Sequence, residues 1–386
     1  MTTIGYAAML EQFQPLELLD ACVLAEQAGF GAIMVSDHFQ PWTPAGASGF
    51  SFAFLGALGQ RVQVPIGAGV VCPLFRYHPT VVAQAAATLA TLYPGRTFLG
   101  LGAGELLNEH VVARYWPDGA TRVRMLFEAV DIIQTLLSGR TLRHRGDAFQ
   151  VEPARLFTVP EVAPPIYVAT AGPVAAERAG RTVDGVITIG APDERLRGLF
   201  ERMEHGARAR GRRPDSMRRI IRLQLSWATT TEAATEQALR DWPIAGMRFA
   251  TADIRTPEDF QAMARHVRAE DVANRVLISA DPAEHVAYIQ RFIDLGFDDI
   301  YLHHVGREQQ AFIRMAETSI LPALRRRDDA PTDSASSTPG TPHDRTTEAA
   351  SALQQTSNSG KIDAPGDSGP GAGAGADTDA GRGGRT

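Results

Sequence analysis

AIMVSDHFQPW, residues 32–42, is the stretch from which the rest of the chain can be read. Residues 32–36 are a short apolar run, the pattern of a parallel strand buried on both faces. The run ends abruptly in Asp37, His38, Phe39, Gln40, Pro41 and Trp42. Upstream, residues 15–29 carry Leu16, Leu19, Val23 and Ala28 at helical spacing, with Pro at the start and Gly at the end. The same alternation continues outward. Further strands are expected at 3–8, 62–71, 97–101, 166–169, 183–189, 220–227, 276–279 and 299–303. Helical patterns at 80–92, 122–137, 194–210, 282–296 and 308–325 separate most of them. Alternating strands and helices argue a parallel sheet. About eight strands in about 325 residues fit an α/β protein of the (β/α)8 barrel type with insertions, and an open doubly wound sheet is the alternative. Residues 144–165 and 243–257 do not fit a minimal barrel unit and read as insertions, expected as loops over the active face.

Composition limits the partners. The formal net charge of −6 is uneven. Residues 328–386 hold nine acidic and four basic residues, a net of −5, which leaves 1–327 near neutral. Nucleic acid and anionic membranes call for a basic surface that this chain lacks. The segment 328–386 consists mainly of Pro, Gly, Ser, Thr, Ala and Asp, and is expected to be a disordered tail behind a single domain, 1–327. Cys22 and Cys72 are too few for a disulfide framework. With no signal peptide and no apolar span in sight, the expectation is a soluble cytoplasmic protein. The only lysine is Lys361, so no lysine in 1–327 can form a Schiff base or hold a phosphate.

Active sites of such barrels lie at the C-terminal ends of the strands. Asp37-His38 followed by Trp42 can supply an acid/base pair and an aromatic platform, or simply a helix cap and a loop histidine. Gly102-Ala103-Gly104-Glu105, then Asn108-Glu109, lets a ligand approach the backbone and offers a carboxylate. It is not a dinucleotide fingerprint, since the third Gly is absent. Thr170-Ala171-Gly172-Pro173 opens a helix whose first N–H groups can bind an anion. Gly67-Ala68-Gly69-Val70 is small for a barrel interior and suits a bulge or a flat ligand. Histidine and cysteine spacing suggests no metal site.

Taken in order, MLEQFQP (9–15), SDHFQPW (36–42), FRYHP (75–79), LYPGR (92–96), LGLGAGELLNE (99–109) and AGPVAAERAG (171–180) resemble one family. It is the coenzyme F-420-dependent glucose-6-phosphate dehydrogenase group of luciferase-like oxidoreductases, and the resemblance runs from about residue 3 to about 325. It implies a (β/α)8 barrel, a homodimer, F-420 as cofactor, a small-molecule substrate, and hydride transfer between a substrate carbon and the deazaflavin. It implies that His38 and Glu105 are the acid/base pair and that Trp42 is an aromatic over the reacting ring. Asp37, Cys72, Ala103, Asn108, Ala171, Gly172, Val174 and Ala175 match cofactor contacts, and Gly69–Val70 matches a strained peptide behind the ring. Cys72 and Ala103 stand where the family has threonines. The family's phosphate clamp of two lysines, an arginine and a threonine falls on Pro192, Thr251, Arg275 and Ile189, so only Arg275 is kept. A substrate other than glucose 6-phosphate is therefore expected, with Arg275 as its one matched ligand. The sugar-phosphate dehydrogenase, an FMN-dependent monooxygenase of the same barrel type and a non-catalytic deazaflavin carrier are the competing readings.

Overall fold

The structure, a computed structural model, describes residues 2–248 and 251–328. Eight parallel strands follow one another round a ring: β1 (Thr3–Ala8), β2 (Ile33–Val35), β3 (Ile66–Val71), β4 (Thr97–Leu101), β5 (Ile166–Ala169), β6 (Gly185–Ile189), β7 (Arg218–Ser226) and β8 (Asp299–His304). Gly185 of β6 lies opposite Arg218 of β7, and Thr3 of β1 opposite Asp299 of β8. These pairings close the sheet, so the chain is a (β/α)8 barrel and not an open doubly wound sheet.

Successive strand residues face opposite ways, and the two cores obey that rule. Tyr6 and Ala8 of β1, and Ile221 and Leu223 of β7, pack against the surrounding helices. Ala7, Ile220 and Tyr301 turn inward and meet Phe98 and Tyr167 inside the barrel. A side chain at Gly67 would collide with the ring and carbonyl oxygen of Phe98. Part of the smallness of residues 67–70 therefore serves packing, because burying a ring such as Phe98 contributes roughly 1.5–3 kcal/mol. The register slips between Ala68 and Val71, as a bulge there requires. Proline begins helices Pro15–Gln27, Pro79–Leu92, Pro173–Thr182 and Pro282–Asp294, where its missing N–H costs nothing.

Three expectations need correction or completion. The strand expected at 276–279 is present as Val276–Ile278 but stands outside the ring. β7 has nine residues and β6 five, so β7 runs past the end of its neighbour, and Val276 opposite Gln224 covers the otherwise unpaired edge. Residues 144–165 do not overlie the active face. They contribute to an antiparallel hairpin, Leu142–Arg145 with Gln150–Ala154, tied to the helix Gly119–Leu137. There Glu128 accepts from the Phe149 N–H at 2.9 Å and from the Ala148 N–H at 3.1 Å. Residues 243–257 do reach the active face, through the turn Thr251–Asp253, in which Ala252 lines the cavity described below. The helix Ser51–Leu58 was not legible, because SFAFLGAL is too evenly apolar to show a period. The expected tail lies outside the described residues except for Asp328, which ends the helix Leu321–Asp328. Among the described residues no helix is long and apolar enough to cross a membrane.

Candidate active site

A cavity of about 520 Å³ opens at the C-terminal ends of the strands. One wall comes from the segment after β2, where Asp37, His38 and Trp42 emerge side by side. Asn108 decides how His38 is held. Its Oδ1 accepts from the backbone N–H of Phe39 at 2.9 Å and of Gln40 at 3.2 Å. Those donors fix which end of the amide is oxygen, so Nδ2 faces Nδ1 of His38 at 3.1 Å and donates to it in the tautomer that leaves Nδ1 bare. The carbonyl of Gln40 is also 3.2 Å from the same Nδ1. The ring thus has a donor for its bare Nδ1 and an acceptor for its protonated Nδ1. Nε2 points to the cavity, 3.9 Å from Glu11 and 4.0 Å from Glu105.

Two carboxylates therefore converge on one imidazole. Glu105 begins the short helix Leu106–Glu109, and burial raises its pKa above the usual carboxylate range. Glu11 lies in the turn after β1 and accepts from the Ser36 hydroxyl, which itself accepts from the Leu10 N–H at 2.8 Å. Trp42 leans on His38 with ring centroids 5.0 Å apart and is backed edge-on by Phe260 at 5.0 Å. Its indole nitrogen is buried without a hydrogen-bond partner.

The opposite wall is flat and small. The Gly69–Val70 peptide is cis and lines the cavity with Gly102, Ala103 and Ala171. Gly104 has φ +75°, and a side chain there would strike the Cys72 sulfur. Cys72 also lines the cavity, and burial pushes its thiol well up, so it remains a neutral thiol. Asp37 has its carboxylate filled by protein donors: the Ser51 hydroxyl at 2.6 Å, the Tyr77 hydroxyl at 3.0 Å and the Arg76 guanidinium.

Ten of the fourteen expected site residues line this one cavity: His38, Glu105, Trp42, Asp37, Gly69, Val70, Cys72, Ala103, Asn108 and Ala171. Gly172, Val174 and Ala175 lie just beyond it, where Gly172 precedes the helix Pro173–Thr182 without a side-chain cap. The first N–H groups of that helix are free to meet an anion at the rim. Arg275 is exposed and does not line the cavity; of the four clamp positions only Ile189 does. Sequence reasoning passed over Glu11, Arg76 and Arg222, all of which line it. Arg222 carried a signal, being a charge at an inward position between Ile220 and Gln224 in the middle of β7.

The luciferase-like monooxygenase family model matches residues 2–299. The chain belongs to the luciferase-like family. Within that family it is 39% identical over 328 residues to a protein of Microbacterium testaceum (strain StLB037) named F-420-dependent glucose-6-phosphate dehydrogenase, covering 84% of this chain and 97% of the relative. A protein of the same name from Mycolicibacterium smegmatis (strain ATCC 700084 / mc(2)155) is 37% identical, covering 84% and 98%. Among solved structures, an F-420-dependent secondary alcohol dehydrogenase in complex with an F-420-acetone adduct superposes with a TM-score of 0.79. It is 31% identical, and the match covers 84% of this chain and 99% of that one.

Proposed function

We propose that this luciferase-like protein is a coenzyme F-420-dependent oxidoreductase acting on a small carbinol or carbonyl compound. The observation that carries the reading is the meeting of His38, Glu105 and Glu11 within about 4 Å across from a flat wall of Gly69, Val70, Gly102 and Ala103. A planar tricyclic ring fits that wall, because side chains larger than those present would fill the space it needs. The uncapped helix start at Gly172 suits an anionic group of the same cofactor at the rim. When bound, the deazaflavin accepts or supplies the hydride.

The chain's own residues handle the protons. In the oxidising direction Nε2 of His38 takes the substrate hydroxyl proton while Nδ1–H leans on the Gln40 carbonyl. Glu105, its pKa raised by burial, holds a proton where an ordinary glutamate has lost it and can yield it to the cavity. Trp42 shields this region from water. By resemblance to the F-420-dependent group the working form is a homodimer, and the two cysteines, free and buried, suit the reducing compartment of a cytoplasmic protein.

The test is an anaerobic titration with F-420 and, separately, with FMN, followed by an alcohol panel read by deazaflavin absorbance. Saturable F-420 binding and substrate-dependent reduction are expected. FMN binding with none for the deazaflavin would favour the monooxygenase reading instead.

A further inference from the structure

β7 presents three arginines to three different settings. Arg218 forks onto Asp299 at 2.6 and 3.0 Å, and Arg219 reaches Glu204 at 2.6 Å. Arg222 turns inward, level with Tyr301 of β8 and Ile189 of β6, and lines the cavity. Its one polar contact among the described residues is the Met9 sulfur, 3.9 Å away. Glu11 and Glu105 share its field but neither lies within 4 Å, so neither takes a guanidinium N–H. The cavity it faces includes the apolar side chains of Met34, Val70, Ile187 and Ile189.

A guanidinium keeps its charge and five donors whatever surrounds it. Water can serve those donors while the cavity is open. Once cofactor and substrate fill about 520 Å³ that water leaves, and an unpaired charge in such surroundings is costly. Resting on the F-420 reading above, we infer that the substrate is a hydroxy acid or its oxo acid, whose carboxylate is held by Arg222 one or two carbons from the reacting carbon. A carboxylate matches the planar fork with two parallel hydrogen bonds. A single guanidinium suits a monoanion. A phosphate dianion would need further donors, and it would also feel the two glutamates more strongly. The guanidinium touches Met9, two residues before Glu11, and Glu11 lies 3.9 Å from His38 in the same cavity, so the anion falls on the His38 side, near the carbinol and not at the far end of a long substrate.

The experiment compares hydroxy acids with neutral alcohols of the same carbon skeleton, lactate with 2-propanol and 3-hydroxybutanoate with 2-butanol, in wild type, Arg222→Gln and Arg222→Lys. F-420 affinity is measured first in each. Wild type should favour the better acid over its alcohol by roughly 30-fold or more in kcat/KM, the size of one charge-assisted bidentate contact. In R222Q the preference should collapse to about threefold, chiefly through KM, and R222K should fall between. Preference for the alcohols in wild type, or an acid preference untouched in R222Q, overturns the inference. Weaker F-420 binding in R222Q with acids and alcohols losing equally assigns the guanidinium to the cofactor and also overturns it. If no panel member turns over, calorimetry of oxalate and malonate with the F-420-loaded protein decides, and absence of Arg222-dependent binding counts against it. Failure of wild type to bind F-420 is a different result, striking at the proposed function and not at Arg222.

Discussion

Asn108 and His38 form a fixed pair: two backbone N–H groups orient the amide, and its Nδ2 stands 3.1 Å from the imidazole Nδ1. The pair steadies a ring whose other nitrogen faces the cavity. Asn108→Ala should lower kcat by roughly tenfold through misorientation, within the range of acid/base contributions. Asn108→Gln should restore little, because the longer side chain cannot meet both N–H groups and Nδ1 at once. A kcat in Asn108→Ala equal to wild type would show that the amide does not position the imidazole.

His38→Ala and Glu105→Gln should each cut turnover by roughly 10²-fold or more while the cofactor still binds. Burial raises the Glu105 pKa, so the form that can donate a proton persists to higher pH than for an exposed glutamate and is lost as pH rises through that value. The pH–rate profile should carry an alkaline limb above the usual carboxylate range, and Glu105→Gln should abolish it. A limb unchanged in that variant would assign it to another group.

Gly104→Ala should destabilise the protein by about 1–2 kcal/mol, since an L side chain at φ +75° is strained. It should also disturb Glu105 next in sequence. Adding Cys72→Ala should relieve the clash with sulfur but leave the backbone cost. Denaturant midpoints of the three proteins would separate the two contributions; no difference between single and double variants would show that the sulfur gives way freely.

Acid should weaken the fold through His304. Burial holds its pKa at about 3, against an ordinary 6.5. Between those values the unfolded chain binds a proton that the folded chain does not, so stability falls as pH drops below about 6.5. From this residue alone the loss by pH 5 is about 2 kcal/mol. His304→Phe keeps a flat ring on Phe312, whose centroid lies 4.6 Å away, and removes the titration. Thermal midpoints from pH 7.5 to 5 should therefore fall less steeply in the variant. Parallel curves would refute the assignment.

Glucose 6-phosphate should be a poor substrate. Of the matched clamp positions only Ile189 lines the cavity, and Arg248, the obvious stand-in, is held by Asp271. Two missing cationic ligands at about 1.5 kcal/mol each imply an affinity lower by about two decades. Comparing KM for the sugar phosphate with that of a relative bearing both lysines checks this. Comparable values, lost on replacing Arg195 by Ala, would name as replacement ligand the arginine whose charge is felt at Arg275.

Much of this was written locally. Short apolar runs, prolines at helix starts and the motifs at 36–42, 67–72, 102–109 and 170–173 depend on neighbours in the chain, so fold class and ten lining residues could be read without coordinates. Residues 144–165, expected as a loop over the active face, belong in part to the hairpin at 142–154, and their polar pattern says nothing about which end of the barrel they cover. Glu11, Arg76 and Arg222 are ordinary charges in sequence. Their meaning comes from closure of the sheet, which brings the turn after β1, the segment after β3 and the seventh strand to one cavity. Pairing is likewise a tertiary matter: Arg218, Arg219 and Arg222 lie within five residues, yet Arg222 lacks a carboxylate, because Asp299 and Glu204 meet β7 at its start while the β8 residue level with Arg222 is Tyr301.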